Sequence, residues 1–159
     1  MFKNILVAID GSDHSKQAIP AAIEVAKKFD SEVFVLHVSE HDRGYPVAFS
    51  SESPADAAKL VLDAVATLRH AGVTASGEVH DVAVGHVARD LVETARSKSC
   101  DLIVMGSRGL SDVQGLLLGS VTHKVIQLSH VAVLVTRATI PVKRTVAQPT
   151  ISAQLVPAL

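Results

Sequence analysis

Five short runs of apolar residues recur along the chain, and each of the first four is followed by a longer segment with helical spacing. The runs are Phe2 to Ile9, Glu32 to Val38, Val73 to Asp81, Asp101 to Met105 and Val131 to Val135. The first is apolar nearly throughout, which predicts a strand buried on both faces. The third is more polar and suits a sheet edge.

The intervening segments carry apolar residues at intervals of three and four. Ser12 to Phe29 places Ala18, Ile19, Ala22, Ile23 and Ala26 on one face, with Ser12 or Asp13 as the capping residue. Pro20 inside this pattern predicts either a bend or a late helix start, because it has no N–H to donate. Pro54 to Ala71 aligns Leu60, Val61, Ala64, Val65 and Leu68, and Gly72 stands where a helix stop is expected. Gly85 to Lys98 repeats Val87, Leu91 and Ala95, and Ser120 to Ser129 presents Val121, Val125 and Leu128. Ser39 to Ser53, with Gly44, Pro46 and mixed charges, has neither period and is read as a long loop.

Strands alternating with helices of this length require crossover connections, hence a parallel sheet covered on both faces. The expected fold is a doubly wound α/β sandwich of five strands. Such sheets bind ligands beyond the carboxyl ends of the strands, where the strand order reverses. If Asp10 and Gly106, at the ends of the first and fourth strands, serve one site, those strands are neighbours and the order is 3-2-1-4-5.

Composition removes several function classes. A formal net charge of −1 lacks the electrostatic footprint of a nucleic-acid-binding domain, and 3% aromatic residues leave few base-stacking surfaces. No apolar run is long enough to span a bilayer. The segment from Met1 to Ile9 lacks the pattern of a signal peptide, and the expected location is the cytoplasm. Cys100 is the one cysteine, which excludes an internal disulfide and predicts a small core residue at a strand start. The histidines form no local metal-ligand pattern, and His37 is expected to be a polar strand-end residue near a ligand rim.

The chemistry concentrates between the fourth strand and the fourth helix. Gly106 and Gly109 are followed, after nine residues, by Gly119 and Ser120. Glycines between a strand and a helix let backbone approach a ligand, and the helix start offers unpaired N–H groups to an anion. The competing turn-only reading has these glycines forming a tight turn and Ser120 capping the helix. The chain has no G-x-x-x-x-G-K-[ST], no G-x-G-x-x-G after the first strand and no G-x-S-x-G elbow. Asp112 is read as a solvated loop residue.

The G-x-x-G, nine-residue, G-S spacing resembles that of the universal stress protein family, in its nucleotide-binding branch. Three further blocks share the resemblance: the opening Ile-Leu-Val-Ala-Ile-Asp-Gly-Ser, the Leu-His-Val of the second strand, and Val-Met-Gly-Ser-Arg-Gly. It covers roughly Met1 to Arg137 and implies an adenine-nucleotide-hydrolase-like three-layer sandwich. Carried over residue by residue, it puts adenine against Val38, Ala8 and Ile9, with Asp10 accepting from the ribose hydroxyls. Met105 and Gly106 would line the pocket floor, and Arg108 and Gly109 would flank the phosphates. Gly119, Ser120, Val121 and Thr122 would wrap them with N–H groups and hydroxyls.

The implied ligand is ATP, or AMP or cyclic AMP, with Mg²⁺ accompanying ATP. The implied role is a stress-response regulator with slow hydrolysis at most, since no residue is an evident general base. A homodimer paired through the fifth strand is expected from its apolar edge and from the family. The competing class is a protein-interaction module with a vestigial pocket. Ala138 to Leu159, with three prolines and no acidic residue, is read as a tail, disordered or packing on a partner subunit.

Overall fold

The computed structural model of the chain describes residues 1–41, 52–109 and 118–137. Most of the 39–53 loop with Tyr45 and Phe49, the glycine-stretch residues Leu110 to Leu117 including Asp112, and the tail from Ala138 lie outside the described residues.

Five strands, β1 (Asn4–Ile9), β2 (Glu32–His41), β3 (Ala75–Ala83), β4 (Leu102–Gly106) and β5 (Ala132–Thr136), form one sheet in the order β3-β2-β1-β4-β5. All four pairings are parallel. The helices are α1 (Asp13–Lys16), α2 (Ala18–Phe29), α3 (Pro54–His70), α4 (Val87–Ser97) and α5 (Ser120–Leu128). The expected doubly wound topology and strand order are therefore observed. β3 lies at one edge, as its polarity suggested, and β5 at the other.

Alternation along β1 and β2 divides the core in two. Ile5, Val7, Val33 and Val35 pack with Ala18, Ala22, Val61 and Leu68 of α2 and α3. Leu6, Ala8, Phe34 and Leu36 face the opposite way, toward Ala88, Leu91 and Val125 of α4 and α5. Each fully buried aliphatic side chain contributes about 1.5–3 kcal/mol of transfer free energy. Cys100 is buried just before β4, and that burial, with Asp101 beside it, pushes the thiol up to about 11.

Local chemistry accounts for the boundaries. Ser53 caps α3 by accepting from the Asp56 N–H at 3.1 Å, Pro54 fits its first turn, and Gly72 follows it at φ +83°. The segment 12–29 is two helices rather than one. Pro20 has no N–H to give the Lys16 carbonyl, so the first turn ends at Lys16 and α2 starts beyond Gln17. The late-start reading of Pro20 is the observed one. β2 also runs past Val38 to His41, because Ser39, Glu40 and His41 continue the ladder with Asp81, Val82 and Ala83. These polar residues, read as the start of a loop, form the half-exposed end of a strand.

A charged network fastens the outer strand to α4. His80 Nδ1 lies 2.7 Å from Asp90 and Nε2 lies 3.3 Å from Glu78, while Lys98 donates to Glu78 at 2.8 Å and sits 4.2 Å over the Phe34 ring. Desolvation opposes a charge on His80, but the Asp90 and Glu78 carboxylates outweigh it and hold the imidazole above its ordinary value of 6.5. A raised folded pKa means that the network stabilises the fold fully below pH 6.5 and loses this contribution as pH rises through the folded value. The thermal midpoint is accordingly expected to fall more steeply above pH 6.5 in the wild type than in Asp90→Asn. Parallel melting curves for the two proteins test this.

Candidate functional site

The reversal of strand order at β1 opens a cleft of about 450 Å³ at the carboxyl ends of β1, β2 and β4. It is built by three groups of residues.

Asp10 follows β1 directly and is held by the turn into α1. Its Oδ1 accepts from the Ser12 N–H at 3.0 Å and from the Ser12 hydroxyl at 2.6 Å. The same Ser12 Oγ accepts from the Ser15 N–H at 3.2 Å, so one serine caps α1 and orients the carboxylate. Ala8 and Ile9 line the cleft beside Asp10, and Val38 of the neighbouring β2 lines it with them.

At the end of β4, Met105 and Gly106 line the cleft floor, and Gly106 has a second task. A Cβ there would lie 2.8 Å from both the carbonyl carbon of His14 and the amide nitrogen of Ser15. Only glycine lets α1 approach β4 this closely. Gly109 touches Asp10 in the same sense, since its Cβ would lie 2.5 Å from Oδ2. Arg108 lines the cleft between these glycines.

The returning chain closes the third side. Gly119 donates its N–H to the Ser107 carbonyl at 2.8 Å, and a Cβ on it would lie 3.3 Å from the Arg108 α-carbon. Gly119, in extended conformation, is the N-cap of α5, and no side chain caps that helix. Ser120 is therefore its first helical residue and does not cap it, which removes half of the turn-only reading. The helix start lies at the cleft with Gly119, Ser120, Val121 and Thr122 among its walls. Thr122 is buried, and its hydroxyl donates to the Gly106 carbonyl at 2.9 Å, so its role in the wall is to tie α5 to β4.

The twelve residues singled out in the sequence thus converge on one cleft. Eight others join them there. Leu36 continues the Ala8–Val38 wall at strand spacing, and Val87 and Leu91 form an i, i+4 pair on α4. Ser15, Ser39, Glu40 and Glu52 add polar groups, and His37 is 3% exposed within the wall and not a rim residue. Glu40 accepts from the Gly85 N–H at 2.7 Å and so fixes the turn that leads into α4. Leu36 and Val38 share a face by alternation, which makes the first of these findable from sequence. Glu52 had no such signal, because it reaches the cleft from the far end of the 39–53 connection. Among the described residues no cluster of three or more His, Cys, Asp or Glu side chains could hold a metal ion.

The model of the family described as "Universal stress protein family" matches residues 1–137. This chain belongs to that family. Universal stress protein YxiE of Bacillus subtilis is 34% identical over 151 residues, covering 86% of this chain and 100% of that protein. Among solved structures, the protein MJ0577 superposes with a TM-score of 0.72 at 26% identity, covering 87% of this chain and 98% of that one. A universal stress protein solved in complex with cAMP gives a TM-score of 0.63 at 28% identity, over 87% and 98% of the two chains.

The close approach at Gly106 carries a direct expectation. Gly106→Ala sets the new Cβ against the His14–Ser15 backbone, and a cost of about 1–3 kcal/mol is expected from overpacking. Urea unfolding of the two proteins, with an unchanged m-value, measures it.

Proposed function

We propose that this universal stress protein binds an adenine nucleotide as a signal in the cleft between β1 and β4. The observation that carries the reading is convergence: Asp10, the glycine pair Gly106 and Gly109, and the α5 start come from three separated segments and meet around one cavity. An oriented carboxylate is a pure acceptor and suits the ribose hydroxyls, while helix-start N–H groups suit phosphate. Ala8, Leu36, Val38, Val87 and Leu91 supply an apolar slot for a flat base. The cAMP held by a relative of the same fold supports an adenine nucleotide as ligand.

ATP, AMP and cyclic AMP are all candidates within this reading. Mg²⁺ would enter with ATP on its phosphates. The role is stress-response regulation in the cytoplasm with slow hydrolysis at most. A homodimer paired through β5 belongs to the same reading: this strand is at the sheet edge with Leu134 exposed, and Ile126 and Leu128 of α5 are exposed too.

Folded protein stripped of nucleotide is expected to bind at least one of ATP, AMP and cyclic AMP with a Kd below about 1 mM. Asp10→Ala should weaken binding by about tenfold or more, the size of a hydrogen bond to a charged group. Gly119→Ala should weaken it by crowding Arg108, without unfolding the domain. Isothermal titration with a circular-dichroism control reads all three. Absence of binding by the folded wild type would leave the protein-interaction reading in its place, and unchanged affinity in both variants would remove the site assignment.

A further inference from the structure

Both ring nitrogens of His37 face acceptors. Nδ1 lies 2.9 Å from the Ile9 carbonyl oxygen, and Nε2 lies 2.6 Å from Oε2 of Glu52. A carbonyl oxygen only accepts, so Nδ1 carries a hydrogen. At Nε2 a bare lone pair cannot share 2.6 Å with a carboxylate lone pair. One further proton sits between them, on the ring as imidazolium or on the carboxyl.

Ser39 offers the same ring a second arrangement. Its hydroxyl oxygen is 3.3 Å from Nε2, and a hydroxyl can donate as well as accept. When the extra proton leaves, Ser39 donates to the bare Nε2 and the Glu52 carboxylate is repelled. The two arrangements use the same side chains and differ by one proton.

The bridge joins parts of the site that are far apart in sequence. Glu52 precedes Ser53, the cap of α3, and Ile9 precedes Asp10. His37 therefore fastens the entry of α3 to the strand end that carries Asp10, across one wall of the cleft.

The charged surroundings are mixed. Asp10 and Glu40 line the same cleft as His37 and Glu52, with Arg108 as the cation on the β4 side. His41, farther along β2, pairs with Asp81, and Asp56 in the first turn of α3 accepts from Ser53. Opposite His37 on β3 stands Val79, while Glu78 and His80 turn toward Lys98 and Asp90 on the other face of the sheet.

We propose that His37 and Glu52 are positioning residues of the nucleotide site: a clasp, closed by one shared proton, that holds the α3 entry against the cleft and links nucleotide affinity to pH. The linkage to affinity rests on the nucleotide reading above. The closed form holds the extra proton, so acid favours it and rising pH opens it. Affinity falls as pH rises, by at most about tenfold per pH unit, the limit for one linked proton.

The test uses the full chain and cyclic AMP, whose phosphodiester keeps one charge throughout. Affinity is titrated from about pH 5.5 to about pH 8.5, the range in which imidazoles exchange their proton. Wild type, Glu52→Gln and Glu52→Ala are compared, and the His37 ring nitrogens are followed by NMR in nucleotide-free protein. In Glu52→Gln the amide donates to a neutral Nε2, so the clasp stays closed without the proton. Its affinity is expected to match that of the wild type in acid and to hold as pH rises, while the wild type weakens by about tenfold overall. Glu52→Ala opens the clasp and is expected to bind weakly at every pH. Other titrating histidines contribute equally to wild type and Glu52→Gln and cancel.

Equal pH slopes in wild type and Glu52→Gln overturn the proposal. So does a His37 ring without a proton on Nε2 across the range beside an ionised Glu52, even with nucleotide binding intact. If the folded protein binds no nucleotide, the affinity linkage and the functional reading fall together, and the ring signals decide separately whether the clasp exists.

Discussion

β1 pairs in parallel with β2 on one side and β4 on the other; α2 and α3 serve the connections on the β2 side, and α4 and α5 those that lead to β4 and β5. The connections on its two sides therefore depart toward opposite faces, and their helices cannot cover the strand ends where they part. The cleft is what remains uncovered. Its depth is set by contacts that remove side chains: glycine at 106 lets α1 press on β4, and glycine at 109 lets the chain touch the Asp10 carboxylate. A bulkier residue at either position would fill or displace the space that the topology opens.

The same constraint decides which polar groups meet. Ser12 orients Asp10 and caps α1 with one hydroxyl; Thr122 ties α5 to the last carbonyl of β4; Gly119 returns the chain to the Ser107 carbonyl. Each bond satisfies a backbone or carboxylate group that would otherwise be stranded at a strand end. The polar inventory of the cleft is thus a consequence of closing the sheet, and it leaves the first N–H groups of α5 without a side-chain cap.

Much of this was legible in the amino-acid order because it rests on local periodicity. The short apolar runs of β1 and β2 and the three- and four-residue spacing in α3 and α4 follow from the geometry of each element alone, and the strand order followed once Asp10 and Gly106 were required to meet. The errors arose where a neighbour decides. Ser39, Glu40 and His41 carry no strand pattern, yet β3 supplies their ladder partners. The break at Gln17, by contrast, was legible in Pro20 three residues on, whose missing N–H leaves the Lys16 carbonyl without its helical partner. His37 passed for a rim residue because nothing in its own strand reveals that Ile9 and Glu52 take both its nitrogens.

Charge balance bears on what such a cleft can do with a bound anion. Among the described residues that line the cleft, Asp10, Glu40 and Glu52 are carboxylates and Arg108 is a cation. Backbone N–H groups at the α5 start add a term that does not depend on side-chain charge: a helix start stabilises an anion by roughly 0.3–1 kcal/mol, more when partly buried. Backbone donors are fixed and do not strengthen as charge builds on a leaving phosphate unless they are aimed at the transition state. A proton held between His37 and Glu52 cancels one carboxylate, so the protonation of that pair shifts the electrostatic balance of the whole cleft.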